Sequence, residues 1–214
     1  GGANIGLGTA TALGTINNDD TTTFTIAVSP ASVGEESGSA LTYTITRSGD
    51  TQSGLTQTVS ATLGGCAGEA TLATDYALAT ADGPSVTIAT NVVTAVFAQG
   101  ETSKTFTVTP VSDGTVEGNE TATATLAIVD DGLAVSAVAG AVLGTGVASG
   151  TIVDDDNPIY SIAADQVTIG EAGGTVTFTV SRDRDDPLGN ADVTVQLSGA
   201  AVLNADYTVA GGTL

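Results

Sequence analysis

The sequence contains no histidine, no methionine and no tryptophan, and a single cysteine among its 214 residues. Histidine is the side chain that most often acts as a general base near neutral pH, so its absence predicts a protein that is not an enzyme. Cys66 has no histidine to activate it and no second cysteine with which to form a disulfide within the chain. Neither cysteine-based catalysis nor an internal disulfide framework is therefore expected.

Basic residues are almost as scarce, with 4 Lys plus Arg against 24 Asp plus Glu and a formal net charge of −20. Nucleic acids and anionic membranes are bound through basic patches, so neither is predicted as a partner. The uncharged stretch 132–150 approaches the length of a membrane span, but its glycines and small residues carry too little apolar surface to insert. A hairpin turning near Gly140 is predicted there instead. The charge favours cations as partners.

Aromatic residues make up only 4% of the chain, whereas β-branched residues are abundant and alternate with polar ones. Residues 21–28 and 40–47 show this period of two, which places Leu41, Tyr43 and Ile45 on one face of a strand. Residues 85–97 contain one strand, or two that turn at Thr90-Asn91, and residues 72–76 are predicted to end a strand on Asp75. Seven or so short strands predict an all-β protein with an antiparallel immunoglobulin-like β-sandwich.

A run of three carboxylates, Asp154, Asp155 and Asp156, directly follows the β-branched residues 151–153. Adjacent aspartates repel one another, and a hard cation with oxygen ligands, for which Ca²⁺ is the natural candidate, would remove that repulsion. Further acids occur at Glu35, at Asp75 and in the loop 113–120. The loops of a sandwich cluster at its two ends, so these carboxylates can converge and hold more than one ion.

Internal repeats organise the chain. The phrase Gly-Thr-Ile before acidic residues occurs at 14–16 and again at 150–152, and subtracting Thr15 from Thr151 gives a period of 136 residues. Residues 160–163 echo 24–27, residues 175–182 echo 40–47, and residues 204–207 echo 73–76. We therefore predict tandem repeats, with 1–20 as the last hairpin of a preceding repeat, 21–156 as a complete domain and 157–214 as the N-terminal part of a following repeat.

The order of these motifs along residues 21–156 resembles that of the Calx-beta family. The resemblance is carried by Val-Gly-Glu at 33–35, Thr-Asp-Tyr at 74–76, the stretch 100–106, the acidic loop 113–120 and residues 151–156. It implies a Ca²⁺-binding sandwich with its ions at one tip, and Ser112 and Asn18 depart from the family pattern where aspartates are usual. The implied ligands are Glu35, Asp75, Asp113, Thr115 through its carbonyl, Glu117, Glu120, Asp154, Asp155 and Asp156, with Asp19, Asp20, Glu171 and Asp206 in the flanking repeats.

Other carboxylates are interpreted as ordinary solvated turn residues, because aspartate and asparagine favour turns in any case. This interpretation applies to Glu36, Asp50, Asp82, Glu101, Asp130 and Asp131. Three further aspartates are interleaved with arginines, which indicates a solvated hairpin end: Asp183, Asp185 and Asp186.

The function expected from these observations is structural. Tandem calcium-binding repeats would form an extracellular or cell-surface stalk, fibre or adhesin in which Ca²⁺ stiffens the junctions between neighbouring repeats. Two alternatives stay open: a regulatory calcium sensor, and an adhesive module that binds a glycan or another surface. The expected partners are calcium ions and neighbouring repeats of the same chain, with like chains in a fibre or a surface ligand as further possibilities.

Overall fold

A computed structural model describes residues 1–3, 5–6, 8, 11–14, 20–51, 54–64, 68–130, 132, 140–183 and 192–210. Residue contacts divide the chain into two compact units. The first comprises Gly1–Ser112 with Glu120–Val153, and the second comprises Asp113–Asn119 with Asp154–Leu214. Within the described ranges, no helix has the length and apolar character needed to cross a membrane.

Five strands of the first unit form one sheet. They are β1 (Thr22–Ser29), β3 (Leu41–Gly49), β5 (Tyr76–Ala79), β8 (Ser103–Pro110) and β10 (Ala141–Leu143). Their spatial order is β10, β1, β3, β8, β5. All neighbours pair antiparallel except β10, which lies parallel to β1 at the edge.

Six strands form the second sheet of this unit. They are β2 (Ser32–Gly34), β4 (Gln57–Leu63), β6 (Val86–Ala89), β7 (Val92–Phe97), β9 (Glu120–Asp130) and β11 (Val147–Val153). Their spatial order is β2, β11, β9, β4, β7, β6. The short strand β2 pairs parallel with β11, and a single turn of 3₁₀ helix, Glu35–Ser37, follows it directly.

The core lies between the two sheets and follows the predicted period of two. Phe24 of β1 is fully buried, whereas the threonines on either side of it are partly exposed, as in any strand with one inward face. The Phe24 and Phe97 rings, from opposite sheets, meet edge to face with centroids 5.2 Å apart. The predicted inward face is buried, with an exposed fraction of at most 1% for each of its residues Leu41, Tyr43 and Ile45. The all-β antiparallel sandwich is therefore confirmed.

Residues 85–97 contain two strands rather than one. β6 and β7 are joined by the two-residue turn Thr90-Asn91, in which Thr90 has a φ of 54°. The Asn91 side chain donates a hydrogen bond from Nδ2 to the Leu63 carbonyl at 2.8 Å, which fixes the turn against the end of β4. This contact favours asparagine at the second position of the turn.

The prediction that residues 72–76 end a strand on Asp75 is wrong. Asp75 closes a turn that precedes β5, because Ala73 adopts a φ of 70° and its N–H donates to the Tyr76 carbonyl at 2.8 Å. The Asp75 carboxylate accepts a hydrogen bond from the Thr71 N–H. Aspartate is well suited to such a turn because its short side chain can bond to nearby backbone.

The hairpin predicted to turn near Gly140 stays a prediction, because residues 133–139 lie outside the described residues. The two strands that follow belong to different sheets, since β10 pairs with β1 and β11 pairs with β9. Gly144 lies where the chain changes sheet, and a Cβ there would be 2.9 Å from the Thr25 Cγ2 atom. Glycine permits the close crossing.

Two of the four basic residues are buried inside the first unit. The Arg47 guanidinium is 2% exposed, donates to the carbonyls of Ala98 at 2.8 Å and Thr51 at 3.2 Å, and lies 5.6 Å from the Phe97 ring centroid. Lys104 Nζ donates to Glu101 Oε1 at 2.7 Å and to Ser85 Oγ at 2.9 Å. Buried cations are tolerated only where such acceptors satisfy them.

Replacing Glu101 with glutamine should remove a contribution to stability that exists only above acidic pH. The Lys104 hydrogen bond, followed by the Ala98 N–H bond, lowers the Glu101 pKa below its ordinary 4.5. A carboxylate with a lowered pKa stabilises the fold above its unfolded-state pKa, and that contribution disappears as the pH falls through the folded-state pKa. Unfolding in urea with a chelator present should therefore separate the two proteins at pH 7 and bring them together once the pH has fallen through the folded-state pKa of Glu101.

The matched control is Asp192→Asn, which removes one exposed carboxylate from the second unit. It should leave the unfolding free energy of the first unit unchanged across the pH range. A Glu101→Gln difference that does not shrink as the pH falls into the acidic range would contradict the assignment, because the contribution must disappear as the folded-state carboxylate becomes protonated.

The second unit contains β12 (Tyr160–Ala164) and β13 (Phe178–Arg182), which pair antiparallel. Their register places Tyr160 opposite Arg182, as β1 and β3 place Phe24 opposite Arg47. Burial differs, however, since Ile162 is 52% exposed and its counterpart Ile26 only 3%. The sequence echo thus reproduces strand register but not burial.

The turn before β5 also has a counterpart in the second unit. Asn204 has a φ of 67°, its N–H donates to the Tyr207 carbonyl at 2.8 Å, and Asp206 Oδ2 accepts from the Val202 N–H at 2.7 Å. The echo of residues 73–76 by 204–207 is therefore a repeated turn geometry.

Candidate metal centre

Three strand ends of the second sheet bring acidic residues side by side. β11 pairs with β2 so that Val153 lies opposite Gly34, and it pairs with β9 so that Ile152 lies opposite Glu120. Asp154 follows Val153 and Glu35 follows Gly34, so two carboxylates leave parallel strands at adjacent positions. The β-branched run predicted as a strand end thus sets the location of the first aspartate.

Glu35, Asp154 and Asp156 form the first carboxylate group. Each contributes an oxygen atom that lies within 4.8 Å of the oxygens from the other two. Glu35 is 8% exposed, which is unusual for a carboxylate. The Asp156 N–H donates to Asp154 Oδ1 at 3.1 Å, so the local turn holds two of the three residues together.

Asp75, Glu117 and Glu120 form the second carboxylate group, with one oxygen from each again within 4.8 Å of the others. The turn before β5 orients Asp75, and Glu120 is the first residue of β9. All three side chains are half-buried. Residues far apart in the sequence, from 75 to 120, therefore meet here.

The acidic loop is hydrogen-bonded to the aspartate run. The Glu117 N–H donates to Asp154 Oδ2 at 2.9 Å, and the Asp154 N–H donates to the Asn119 side-chain oxygen at 3.2 Å. Asp154 thus belongs to the first group by its carboxylate and is attached to the loop that supplies Glu117 of the second group. Asn119 was missed at the level of sequence, although an amide in an acidic loop is a natural acceptor for such a bond.

The chemistry of both groups fits a hard divalent cation. Every donor is a carboxylate oxygen, and Ca²⁺ takes 6–8 oxygen ligands at about 2.3–2.6 Å, so that opposite ligands are up to about 5 Å apart. Oxygens within 4.8 Å of one another satisfy that limit. Soft transition metals prefer sulfur or imidazole, and neither group contains either. Without a cation, each group confines three like charges in a small volume.

Two predicted carboxylate ligands of the central repeat, Asp113 and Asp155, lie in neither group, and neither does Thr115. Asp113 is exposed, and its Oδ1 accepts the Thr115 N–H at 2.6 Å. This backbone bond, together with a side-chain bond from Thr115, lowers the Asp113 pKa. Asp155 is also exposed. Among the described residues, the acidic loop thus supplies Glu117 and Glu120, while Asp113 closes a local turn and Thr115 donates to it.

The predicted ligands outside the central repeat are not brought into a group of three within the described ranges. Glu171 and Asp206 are exposed, and Asp206 closes the turn that resembles the one at Asp75. Asp20 is exposed, and Asp19 lies outside the described residues.

Some residues interpreted as solvated turns have structural roles. Asp82 Oδ2 accepts hydrogen bonds from the backbone N–H and the hydroxyl of Thr105, and Glu101 pairs with Lys104. Asp130 Oδ1 accepts the Gly132 N–H at 2.8 Å, as a turn aspartate should. Asp183 Oδ1 accepts the Ile159 N–H at 2.7 Å, whereas Cys66, Asp131, Asp185 and Asp186 lie outside the described residues.

Glu69 is a buried carboxylate that the sequence did not single out. Both of its oxygens are shielded from solvent and accept no hydrogen bond within the part of the chain that the structure describes. It forms an isolated bridge with Thr121, the residue after Glu120. The sequence around it gives no strand pattern, so nothing in the sequence indicated its burial.

Comparison with solved structures finds chains that are similar to part of this one. The apo form of the Calx CBD1 domain matches at 19% identity and a TM-score of 0.42, over 62% of this chain and 98% of that domain. The calcium binding domain CBD12 of CALX1.1 matches at 19% and 0.41, over 61% and 44% respectively. CBD12 from CALX1.2 matches at 19% and 0.40, over 74% and 56%.

Comparison at the level of sequence gives the family. No curated protein sequence matches the chain. The family model of the Calx-beta domain matches residues 17–156 and again residues 153–214. These two matches cover nearly the whole chain and share residues 153–156. The chain therefore belongs to the Calx-beta family of calcium-binding domains.

Proposed function

We propose that the chain is a calcium-binding structural repeat in which the two carboxylate groups hold Ca²⁺. The observation that carries the proposal is the convergence of Glu35, Asp154 and Asp156, whose oxygens lie within 4.8 Å of one another. Like charges held this close destabilise the fold unless a cation neutralises them. Because the groups lie at the ends of β2, β9 and β11, a bound ion would hold together the ends of strands that are distant in the sequence.

The further part of the proposal concerns what the bound ion does in a tandem array. Asp156 and Tyr160, the first residue of β12, are separated in the sequence by residues 157–159 alone. An ion held by Asp154 and Asp156 would restrict the chain just before the next repeat starts. We infer that Ca²⁺ stiffens the connection and that the protein acts as a spacer in an extracellular stalk, fibre or adhesin. A net charge of −20 suits a soluble surface protein in calcium-containing medium.

Calcium titration tests the binding itself. Isothermal calorimetry on the chain, freed of metal by a chelator, should detect Ca²⁺ binding at about 10⁻⁴–10⁻³ M, the range of extracellular modules. Mg²⁺ should bind more weakly, because it demands near-octahedral geometry and gives up its water reluctantly. No heat and no change in melting temperature at 10 mM Ca²⁺ would refute the proposal.

Small-angle scattering in the same samples tests the role as a spacer. We expect Ca²⁺ to narrow the distribution of molecular dimensions, since a fixed connection samples fewer conformations. Binding in the sub-micromolar range with a large change of shape would instead identify a regulatory sensor. Tight or weak binding without any effect on dimensions would remove the spacer role while leaving calcium binding intact.

A further inference from the structure

Tyr43 joins the two sheets of the first unit through its hydroxyl group. The residue lies in β3 and is fully buried, and its ring stacks on the Phe106 ring with centroids 5.0 Å apart and an interplanar angle of 6°. Stacking against β8 leaves the ring little freedom to tilt within the core. The hydroxyl therefore points from the first sheet to a fixed place on the second.

The place it reaches is the backbone of β9 and β11. The Tyr43 hydroxyl accepts a hydrogen bond from the Gly150 N–H at 3.2 Å and donates one to the Ala122 carbonyl. Gly150 and Ala122 are register partners, so one hydroxyl bonds to both strands at the same level. Burial raises the Tyr43 pKa to about 12, so the group stays protonated and able to donate throughout the physiological pH range.

The register position of Ala122 and Gly150 is close to the carboxylate groups. Ala122 comes two residues after Glu120 of the second group, and Gly150 comes four residues before Asp154 of the first. The intervening residue Ile152 lies opposite both Val33 of β2 and Glu120 of β9. A strand rises about 3.3 Å per residue, so the backbone groups that bond to the hydroxyl lie roughly 7 Å along β9 from Glu120 and roughly 13 Å along the chain from Asp154.

Glycine at position 150 makes this close approach possible. A Cβ there would lie 2.7 Å from the Leu41 Cδ1 atom and 2.9 Å from Cδ2. The backbone of β11 thus rests directly on the side chain of β3 two residues before Tyr43. The hydrogen bond from Gly150 and the packing on Leu41 together set both the height and the register of β11 above the first sheet.

We propose that Tyr43 is a positioning residue for calcium binding, which fixes β9 and β11 so that Glu120 and Asp154 stand at the correct separation from the other ligands. This inference rests on the proposed function. The hydroxyl touches neither carboxylate group, so its effect is exerted through the two strands. Each carboxylate must reach the same ion at about 2.3–2.6 Å, so a shift of one strand end lengthens or breaks the bond between its carboxylate and the ion.

Tyr43→Phe is the direct test, because it removes the hydroxyl and preserves the ring. Phenylalanine keeps the aromatic ring that stacks on Phe106, so the packing of the core at this position is retained. We expect calorimetry at 25 °C to show Ca²⁺ affinity reduced about three- to tenfold, because the variant loses both hydrogen bonds of the hydroxyl and part of their free energy is lost from ion binding. The increase in melting temperature produced by Ca²⁺ should shrink accordingly.

Ile45→Val is the matched control. It removes one buried methyl group from the same inward face of β3, two residues farther along the strand, and touches no hydrogen bond. It should lower the melting temperature equally with and without Ca²⁺ and leave the calcium affinity unchanged. A residue with a purely structural role would behave in the same way.

The outcomes separate the two proposals. If the unmodified chain does not bind Ca²⁺, the proposed function fails, and this inference fails with it. If the unmodified chain binds and Tyr43→Phe binds with the same affinity, while its melting temperature falls as that of Ile45→Val does, the positioning role is overturned and the proposed function stands. Weaker binding by Tyr43→Phe alone supports both.

Discussion

Replacing Asp154 with asparagine is expected to abolish most of the stabilisation that Ca²⁺ gives through the first carboxylate group. Asp154 supplies an oxygen to the first carboxylate group, accepts the Glu117 N–H on Oδ2 and accepts the Asp156 N–H on Oδ1. Asparagine removes the charge and presents an NH₂ group to one of those N–H donors. The change therefore acts on the ion and on the attachment of the acidic loop together.

The size of the effect follows from linkage. An ion present at a hundred times its dissociation constant stabilises the folded state by about 2.7 kcal/mol. Even residues that only support a ligand change metal affinity about 10–100-fold, so loss of a charged ligand should cost at least about a hundredfold. At the same calcium concentration the remaining stabilisation by the ion in the first group is about 0.4 kcal/mol. The part of the increase in melting temperature that this ion produces, about 10 °C for the unmodified chain, should become about 1–2 °C.

Asp130→Asn is the control for the loss of one negative charge. Asp130 is exposed at the end of β9, where its carboxylate accepts the Gly132 N–H. It belongs to neither carboxylate group. It should keep the full calcium-dependent shift in differential scanning calorimetry. Equal losses in the two variants would mean that Ca²⁺ acts through overall charge and not through a site.

Replacing Arg47 with alanine is expected to destabilise the first unit strongly, although Arg47 belongs to neither carboxylate group. Its guanidinium donates to the Ala98 and Thr51 carbonyls and, at 3.3 Å, to Gln57 Oε1, and it packs near the Phe97 ring. Burial lowers the pKa of Arg47, but the nearby acids Glu101 and Asp50 act in the opposite direction. Truncation removes these hydrogen bonds and leaves a cavity beside the Phe97 ring, which together cost about 3–5 kcal/mol.

Chemical denaturation in the presence of a chelator measures this loss without a contribution from calcium. Arg182→Ala is the matched control, because Arg182 is the counterpart of Arg47 in the second unit but is exposed. It should change the unfolding free energy by less than about 0.5 kcal/mol. Similar losses for the two arginines would refute the view that buried hydrogen bonding, rather than the positive charge, gives Arg47 its effect.

Most of the sandwich could be predicted from the sequence because burial alternates along each strand. The face containing Tyr43 was identified correctly, since every second residue of a strand points to the same side. The predictions were less successful where the chain leaves the hydrogen-bonded part of a strand. Asp75 ends a turn rather than a strand, and residues 141–153 divide between two sheets, because both depend on backbone angles and close contacts that side-chain periodicity does not encode.

Only some members of the two carboxylate groups could be predicted from the sequence. The sequence showed that Asp154 and Asp156 belong to one cluster of charge, but it gave equal weight to Asp155 and Asp113, which lie in neither group. Successive residues in an extended segment point in opposite directions, so three adjacent aspartates rarely face one ion from the same side. Which of them converge with Glu35 depends on the pairing of β11 with β2.

The sequence by itself determined that this protein is an acidic, repeated, all-β chain with carboxylates at its strand ends, because composition and periodicity follow from the order of residues alone. The tertiary structure decided which carboxylates meet, that Arg47 and Lys104 are buried, and that Tyr43 bonds across the core to β9 and β11. Each of these depends on distances between residues remote in the chain. Such distances are set by sheet pairing and by the packing of one sheet on the other.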